Sequence, residues 1–339
     1  MKWAWKGPLE GGITQSLIQK FEEDPFCFVL YYGLGLEEAA QENQNLIWGN
    51  AFHKGLEVGL RNPTRFRQFS EADWYEIRAA VTEDCKNFLH ANRTTPYSVM
   101  NMLPMYNDGF KVFLPPGRTI ATEQQFKIPH HTGKYQVSLM GKKDGIFLDD
   151  QDRLTLIEHK CKGSHDKVKL RQEIKHDVQV NLYCHASGAR RVIYDVILIP
   201  EAQWKIPAAR ITEAPSAYIN RIYHTATGDN LPISRNAHHW LDQYTFELSD
   251  SQIERVFTET INPIIDRICR LYEETQSDSF DPFNPECFSE IYYKRPIRFF
   301  DPARTTQFEK SYYQFLTGSI TLEHLKPATH LFKELEGEG

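Results

Sequence analysis

The chain has 339 residues, room for two domains of roughly 150 residues or one large decorated domain. Its 39 Lys and Arg against 45 Asp and Glu give a net charge of −6, which argues against a uniformly basic nucleic-acid coat but leaves room for a local basic groove. No apolar run reaches the roughly 18 residues a bilayer span needs, and the six cysteines stand singly with no Cys-x-x-Cys pair, so the composition argues against a membrane protein, a disulfide scaffold and a zinc ribbon, and a cytoplasmic, intracellular protein with reduced thiols is expected.

In chain order, residues 14–32 carry Leu17, Ile18, Phe21 and Phe28 at helical spacing. A second helix is expected from Asn50 through Phe52, Leu56 and Leu60 until Pro63 stops it, and a third over residues 71–91. From Thr119 the period changes: residues 119–128, 135–148 and 153–160 read as strands, bounded by Pro129, Gly133 and an Asp-rich turn at 149–152. A helix over 172–186 follows, then an apolar strand over 191–199, then helices over 215–225 and 251–274. Residues 278–300 are rich in proline and aromatics without a clean period, and the acidic tail 331–339 is expected to be disordered. The expected organisation is a helical N-terminal region (1–118), an α/β core (119–200) and a C-terminal helical or irregular extension (201–330) packed on it.

The chemistry-bearing stretch is Gly141-Lys-Lys-Asp144 followed, across the turn, by Glu158-His159-Lys160. If Leu148 faces Leu154, Asp144 falls opposite Glu158, and cross-strand neighbours stand about 4.5–5.5 Å apart at Cβ. Glu158 and Lys160, two apart, share a face. Two carboxylates beside a lysine at the mouth of an apolar sheet are costly unless a cation compensates them, and carboxylate oxygens suit Mg²⁺ or Mn²⁺. Such a metal neutralises charge developing on a phosphoryl group, and Lys160 would orient a water or stabilise the same charge. A one-residue slip in register would separate the two acids onto opposite faces. Glu123, on the preceding strand, is a possible additional acid. Gln179 and Tyr183 lie one helical turn apart and point the same way.

These residues resemble the RecB-like branch of the PD-(D/E)XK nuclease superfamily, which includes recombination exonucleases and CRISPR-adaptation nucleases. There a Gly-x-x-Asp strand leads to an (Asp/Glu)-x-Lys strand and then to a helix with Gln-x-x-x-Tyr. The three occur here in that order as Gly141–Asp144, Glu158–Lys160 and Gln179–Tyr183. The branch's helical Gly-then-His pattern matches Gly49 and His53, and residues 13–25 resemble its opening segment. The resemblance covers about residues 13 to 200. It implies a restriction-endonuclease-like α/β core with a mixed central sheet flanked by helices. It implies metal held by His53, Asp144, Glu158 and the backbone carbonyl of His159, with Asp144, Glu158 and Lys160 catalytic. Gln179 and Tyr183 would position the substrate or buttress the catalytic strand. Many relatives carry an iron–sulfur cluster; here Asp24 stands in the place of the first cysteine, and only Cys269 and Cys287 lie in the last third, so no cluster is expected.

Directly after the catalytic strand come Lys162, Lys167, Lys169, Arg171 and Lys175, a basic stretch suited to DNA phosphates. The expected function is a Mg²⁺- or Mn²⁺-dependent deoxyribonuclease, an exonuclease in repair, recombination, phage or mobile-element metabolism. The alternative is a catalytically idle nuclease-fold subunit for DNA binding or assembly. No P-loop sequence occurs, so any motor would be a separate helicase; a recombination or replication protein is the other expected partner.

Overall fold

Apolar alternation in residues 117–198 is long enough to build a sheet, and a five-stranded sheet is what the computed structural model contains. It describes residues 3–23, 25–38, 44–60, 71–86, 99–100, 102–103, 117–149, 151–163, 166–199, 241–276 and 325–327. The strands are β2 (Gly117–His131), β3 (Gln136–Asp149), β4 (Leu154–Lys162), β5 (Arg191–Leu198) and β6 (Leu241–Glu247), in that spatial order. β3–β4 and β5–β6 are antiparallel and β4–β5 is parallel, which makes the sheet mixed. The α/β core with helices flanking a mixed, open sheet is therefore as expected. A short antiparallel pair, β1 (Leu36–Glu38) with β7 (Leu325–Pro327), forms a separate sheet.

The helices are α1 (Gly7–Glu10), α2 (Gln15–Glu23), α3 (Pro25–Phe28), α4 (Gln44–Leu60), α5 (Glu71–Lys86), α6 (Lys167–Glu173), α7 (Val178–Ser187), α8 (Asp250–Val256) and α9 (Asn262–Glu274). The helix expected over 14–32 is broken before Pro25, whose ring cannot continue the hydrogen-bond ladder, and α3 runs on into a wider turn over Val29–Gly33. The helix expected over 172–186 is also two. Asp177 takes an extended conformation and its carboxylate accepts the Val180 amide, so it caps a new helix, α7. α4 begins six residues before the expected Asn50. β6 was not anticipated at all. The helix expected over 215–225, the segment 278–300 and the acidic tail lie outside the described residues.

Two compact units emerge, one of residues 1–41, 126–141 and 255–339, the other of 42–125 and 142–254. In the first, Trp3, Trp5, Phe28 and Tyr272 pack edge to face or tilted, with centroids 5.2–6.2 Å apart, and α9 buries Ile264, Ile265, Ile268 and Leu271. Ile13 exchanges backbone hydrogen bonds with Ser138 and Met140.

The second unit holds the larger core. One face of the sheet presents Phe147, Ile157, Ile193 and Ile197, which pack with Trp48, Phe52, Leu56, Ile77 and Val81 of α4 and α5. Each such side chain, fully buried, contributes roughly 1.5–3 kcal/mol. Gly55 lets α4 lie close against α5 and Leu103, because a Cβ there would stand 3.0 Å from Val81 Cγ2 and 2.5 Å from Leu103 Cδ1. α7 covers the opposite face of β4, as its hydrogen bonds to Glu158 and Lys160 require. The β3–β4 turn is fixed by Asp149, whose buried carboxylate accepts the Gln151 and Arg153 amides and pairs with Arg153 and Arg191.

Candidate active site

The register of β3 on β4 is the one the apolar pattern predicts: Leu148 faces Leu154, Ile146 faces Leu156, and Gly145 faces Ile157. The pairing runs as far as Gly145–Ile157, one residue before Asp144 and Glu158. There Asp144 Oδ2 accepts the His159 backbone amide at 2.7 Å. The end of the ladder thus presents a carboxylate at the mouth of the sheet.

α4 delivers His53 to the same point. Its Trp48, Phe52 and Leu56 anchor the helix on the sheet, and His53, next to Phe52, reaches Asp144 Oδ1 with Nδ1 at 3.5 Å. From β4 the His159 imidazole places Nδ1 3.6 Å from Asp144 Oδ2. His53, Asp144 and His159 each offer a donor atom within 4.8 Å of the others, a spacing that a metal ion can bridge. The imidazole of His159 joins this close group, beyond the backbone carbonyl expected from the resemblance.

Glu158 and Lys160 project toward α7. Gln179 links them: its Nε2 donates to Glu158 Oε2 at 2.8 Å, and its Oε1 accepts from Lys160 Nζ at 2.5 Å. Lys160 Nζ lies 3.7 Å from Glu158 Oε2. Glu158 is fully buried, and among the described residues its Oε1 has no hydrogen-bond partner. The imidazole–carboxylate–imidazole group of His53, Asp144 and His159 fits a divalent cation, while the orphaned Glu158 oxygen, outside that close group, is costly to bury. Tyr183 is buried on the same helix, one turn on from Gln179.

Electrostatics separate the two acids. Burial opposes ionisation of Asp144, but His53, the His159 hydrogen bond and nearby Lys160 outweigh it and hold the carboxyl well below the usual range. Burial pushes Glu158 well above its usual range, and the Asp144 charge adds to that shift against the opposing Lys160. Burial also lowers the His53 pKa, with Asp144 only partly compensating, which keeps the imidazole neutral and able to ligate. Glu123 sits beside this region in a left-handed backbone conformation (φ 50°) and accepts Lys142 Nζ at 2.5 Å.

The basic residues divide. Lys167, Lys169, Arg171 and Lys175 are exposed on or just after α6, while Lys162 is half-buried at the end of β4. Lys167 pairs with Asp242 at 2.8 Å, Lys169 lies 3.9 Å from Glu173, and the Arg171 guanidinium stacks over the Tyr244 ring at 5.6 Å. Asp166 caps α6 by accepting the Val168 and Lys169 amides. Two residues that the sequence reading passed over also belong to the site's surroundings. Asp195 on β5 is fully buried with Oδ2 3.8 Å from His159 Nε2, and Gln243 on β6 donates to Asp195 Oδ1 at 2.9 Å. The signal for Asp195 was visible: one acid within the apolar run Val192-Ile-Tyr-Asp-Val-Ile-Leu.

A mixed sheet that carries Asp144 on β3 and Glu158-x-Lys160 on β4 just past the last β3–β4 pair, beside a helical histidine, has the chemistry of a metal-dependent phosphodiesterase core. The sequence profile of the PD-(D/E)XK nuclease superfamily matches residues 13–274, and the chain belongs to that superfamily of nucleases, which typically use divalent metals. No curated protein matches. Among solved structures, the crystal structure of SSO0001 is similar at 14% identity, with a TM-score of 0.26, covering 73% of this chain and 84% of that one. Among the described residues no helix is long and apolar enough to cross a membrane.

Proposed function

We propose that the chain is a RecB-like, metal-dependent deoxyribonuclease that hydrolyses DNA phosphodiester bonds as an exonuclease in intracellular DNA processing. The observation that carries this reading is the junction of two groups where the β3–β4 pairing stops. His53, Asp144 and His159 lie close enough to share a cation, and the Lys160–Gln179–Glu158 chain runs beside them. His53 and Asp144, with the Glu158 carboxylate able to join, would hold a divalent cation, which would supply positive charge at the phosphate and acidify water.

The protein's own groups do the rest. Asp144 stays ionised across the physiological range, and Gln179 holds both Glu158 and Lys160 in place. The Lys160 ammonium, a quarter exposed, orients the attacking water or stabilises charge on the phosphate oxygens. The exposed cations of α6 and Lys175 hold the DNA backbone, and a separate helicase, recombination or replication protein would deliver the DNA end.

The test is cleavage of matched linear and circular DNA, single- and double-stranded, in Mg²⁺, in Mn²⁺ and in EDTA. The proposal expects linear DNA to be degraded in metal and spared in EDTA, with circles resistant. Equal cutting of circles would overturn the exonuclease assignment. DNA retained in a gel shift but never cut would favour an idle nuclease-fold binding subunit instead.

A further inference from the structure

His159, Asp195 and Gln243 occupy directly paired positions on three adjacent strands: His159 faces Asp195 across β4–β5, and Asp195 faces Gln243 across β5–β6. His159 and Asp195 are both buried, at 2% and 0% exposure, and the neighbouring positions on that face hold Ile157, Ile193 and Ile197. A carboxylate on such a face costs several kcal/mol relative to an apolar side chain unless it is compensated. Packing alone gives no reason for an acid at 195.

The two ring nitrogens of His159 look in different directions. Nε2 is turned to Asp195 Oδ2, at 3.8 Å, and Nδ1 to Asp144 Oδ2, at 3.6 Å. Asp195 is itself held by the Gln243 amide at 2.9 Å. Carboxylates therefore face both ring nitrogens, and the nearer one, Asp144, stands on the Nδ1 side, where His53 also meets it; a cation bound by Nδ1 and Asp144 would displace a proton shared between them. Ligands about 2.1 Å from a metal stand about 3 Å apart when adjacent and about 4.2 Å apart when opposite, and the three donor atoms here all fall within 4.8 Å. A carboxylate set behind the far nitrogen, here 3.8 Å away, is the arrangement by which proteins orient imidazole ligands.

We propose that His159 ligates the metal through Nδ1, that Asp195 and Gln243 are positioning residues for its ring, and that the resulting two-imidazole, one-carboxylate group selects Mn²⁺ over Mg²⁺. The inference rests on the metal-centre reading above. Mg²⁺ takes oxygen donors and keeps its waters, whereas imidazole favours first-row transition ions. The selectivity therefore follows from the residue between Glu158 and Lys160, together with a carboxylate on the adjacent strand.

The test is pulsed electron paramagnetic resonance on the full chain loaded with Mn²⁺, in which coupling to imidazole nitrogen counts the histidine ligands. Wild type is expected to show two imidazoles and His53→Ala one. A roughly 100-fold excess of Mg²⁺ is expected to leave the Mn²⁺ signal in place. Asp195→Asn, checked for folding by its metal-free thermal melt, is expected to bind Mn²⁺ about 10- to 100-fold more weakly. One imidazole in wild type, lost in His53→Ala, would overturn this inference and leave the metal centre standing. Displacement by that Mg²⁺ excess would overturn the selectivity, and unchanged affinity in folded Asp195→Asn the positioning role. No bound Mn²⁺ at all would overturn both this inference and the metal-centre reading.

Discussion

Lys160→Met separates catalysis from folding at this site. The ammonium donates to Gln179 Oε1 at 2.5 Å and lies 3.7 Å from Glu158 Oε2. Methionine keeps most of the side chain's apolar volume and removes only the charge and the donor. Gln179 Nε2 still donates to Glu158, so the buried carboxyl keeps one partner and can remain protonated. The structural cost is then that of one charge-assisted hydrogen bond, roughly 1–3 kcal/mol. The catalytic cost is larger, because a fixed positive group is removed where charge develops on the phosphate. Removing one such preorganised group typically lowers the rate constant about 100- to 1,000-fold. Single-turnover cleavage of end-labelled linear DNA in saturating Mn²⁺ measures this, with Mn²⁺ affinity and thermal unfolding followed in parallel. The expected outcome is that drop in rate with a folded protein that still binds Mn²⁺. A cleavage rate within about threefold of wild type would refute the role of Lys160, since the interaction removed is worth far more than that.

Three further outcomes follow from the same geometry. Burial and the Asp144 charge raise the Glu158 pKa, so the native state binds that proton more tightly than the unfolded chain does. The stability from this group is complete below the unfolded value near 4.3 and declines as pH rises toward the raised native value. In EDTA, Glu158→Gln should therefore lose less stability than wild type between about pH 5 and pH 7; urea denaturation at both pH values checks it, and parallel pH profiles would contradict it. Mn²⁺ at about 100 times its Kd should stabilise wild type by about 2.7 kcal/mol, a rise of roughly 4 °C in Tm for a chain of this length. Asp144→Asn should abolish most of that rise in a thermal-shift assay, and an undiminished rise would place the metal elsewhere. Replacing Lys167, Lys169, Arg171 and Lys175 together with Gln should flatten the salt dependence of duplex binding by about 0.9 in log–log slope for each phosphate no longer neutralised; an unchanged slope would remove α6 from the DNA interface.

What could be read in the sequence was what local chemistry decides. The apolar alternation of residues 146–148 and 154–157 has one register that keeps both strands' core faces aligned, and that register is observed. Gln179 and Tyr183 were legible as a pair because helical spacing alone puts them on one face. Boundaries set by backbone detail were not. Asp177 reads as an ordinary helix residue until its carboxylate is seen to cap α7, and the π-type turns after Phe28 and Val256 leave no mark in the periodicity. β6 escaped because its burial does not alternate: Leu241 and Tyr244 are buried, three residues apart, with polar side chains between them. Without β6 there was no Gln243, and without the parallel β4–β5 pairing no means of placing Asp195 beside His159. Long-range pairing, which no local pattern encodes, assembles that half of the site.

The most direct measurement of the central claim is the cleavage of linear DNA by wild type and Asp144→Asn, each in Mn²⁺ and in EDTA. Asp144 meets His53, His159 and the β4 backbone at once, and the change to Asn alters one atom while removing the charge. The account predicts cutting by wild type in Mn²⁺ only, and none by the variant in either condition. Cutting by Asp144→Asn at the wild-type rate, or by wild type in EDTA, would contradict it.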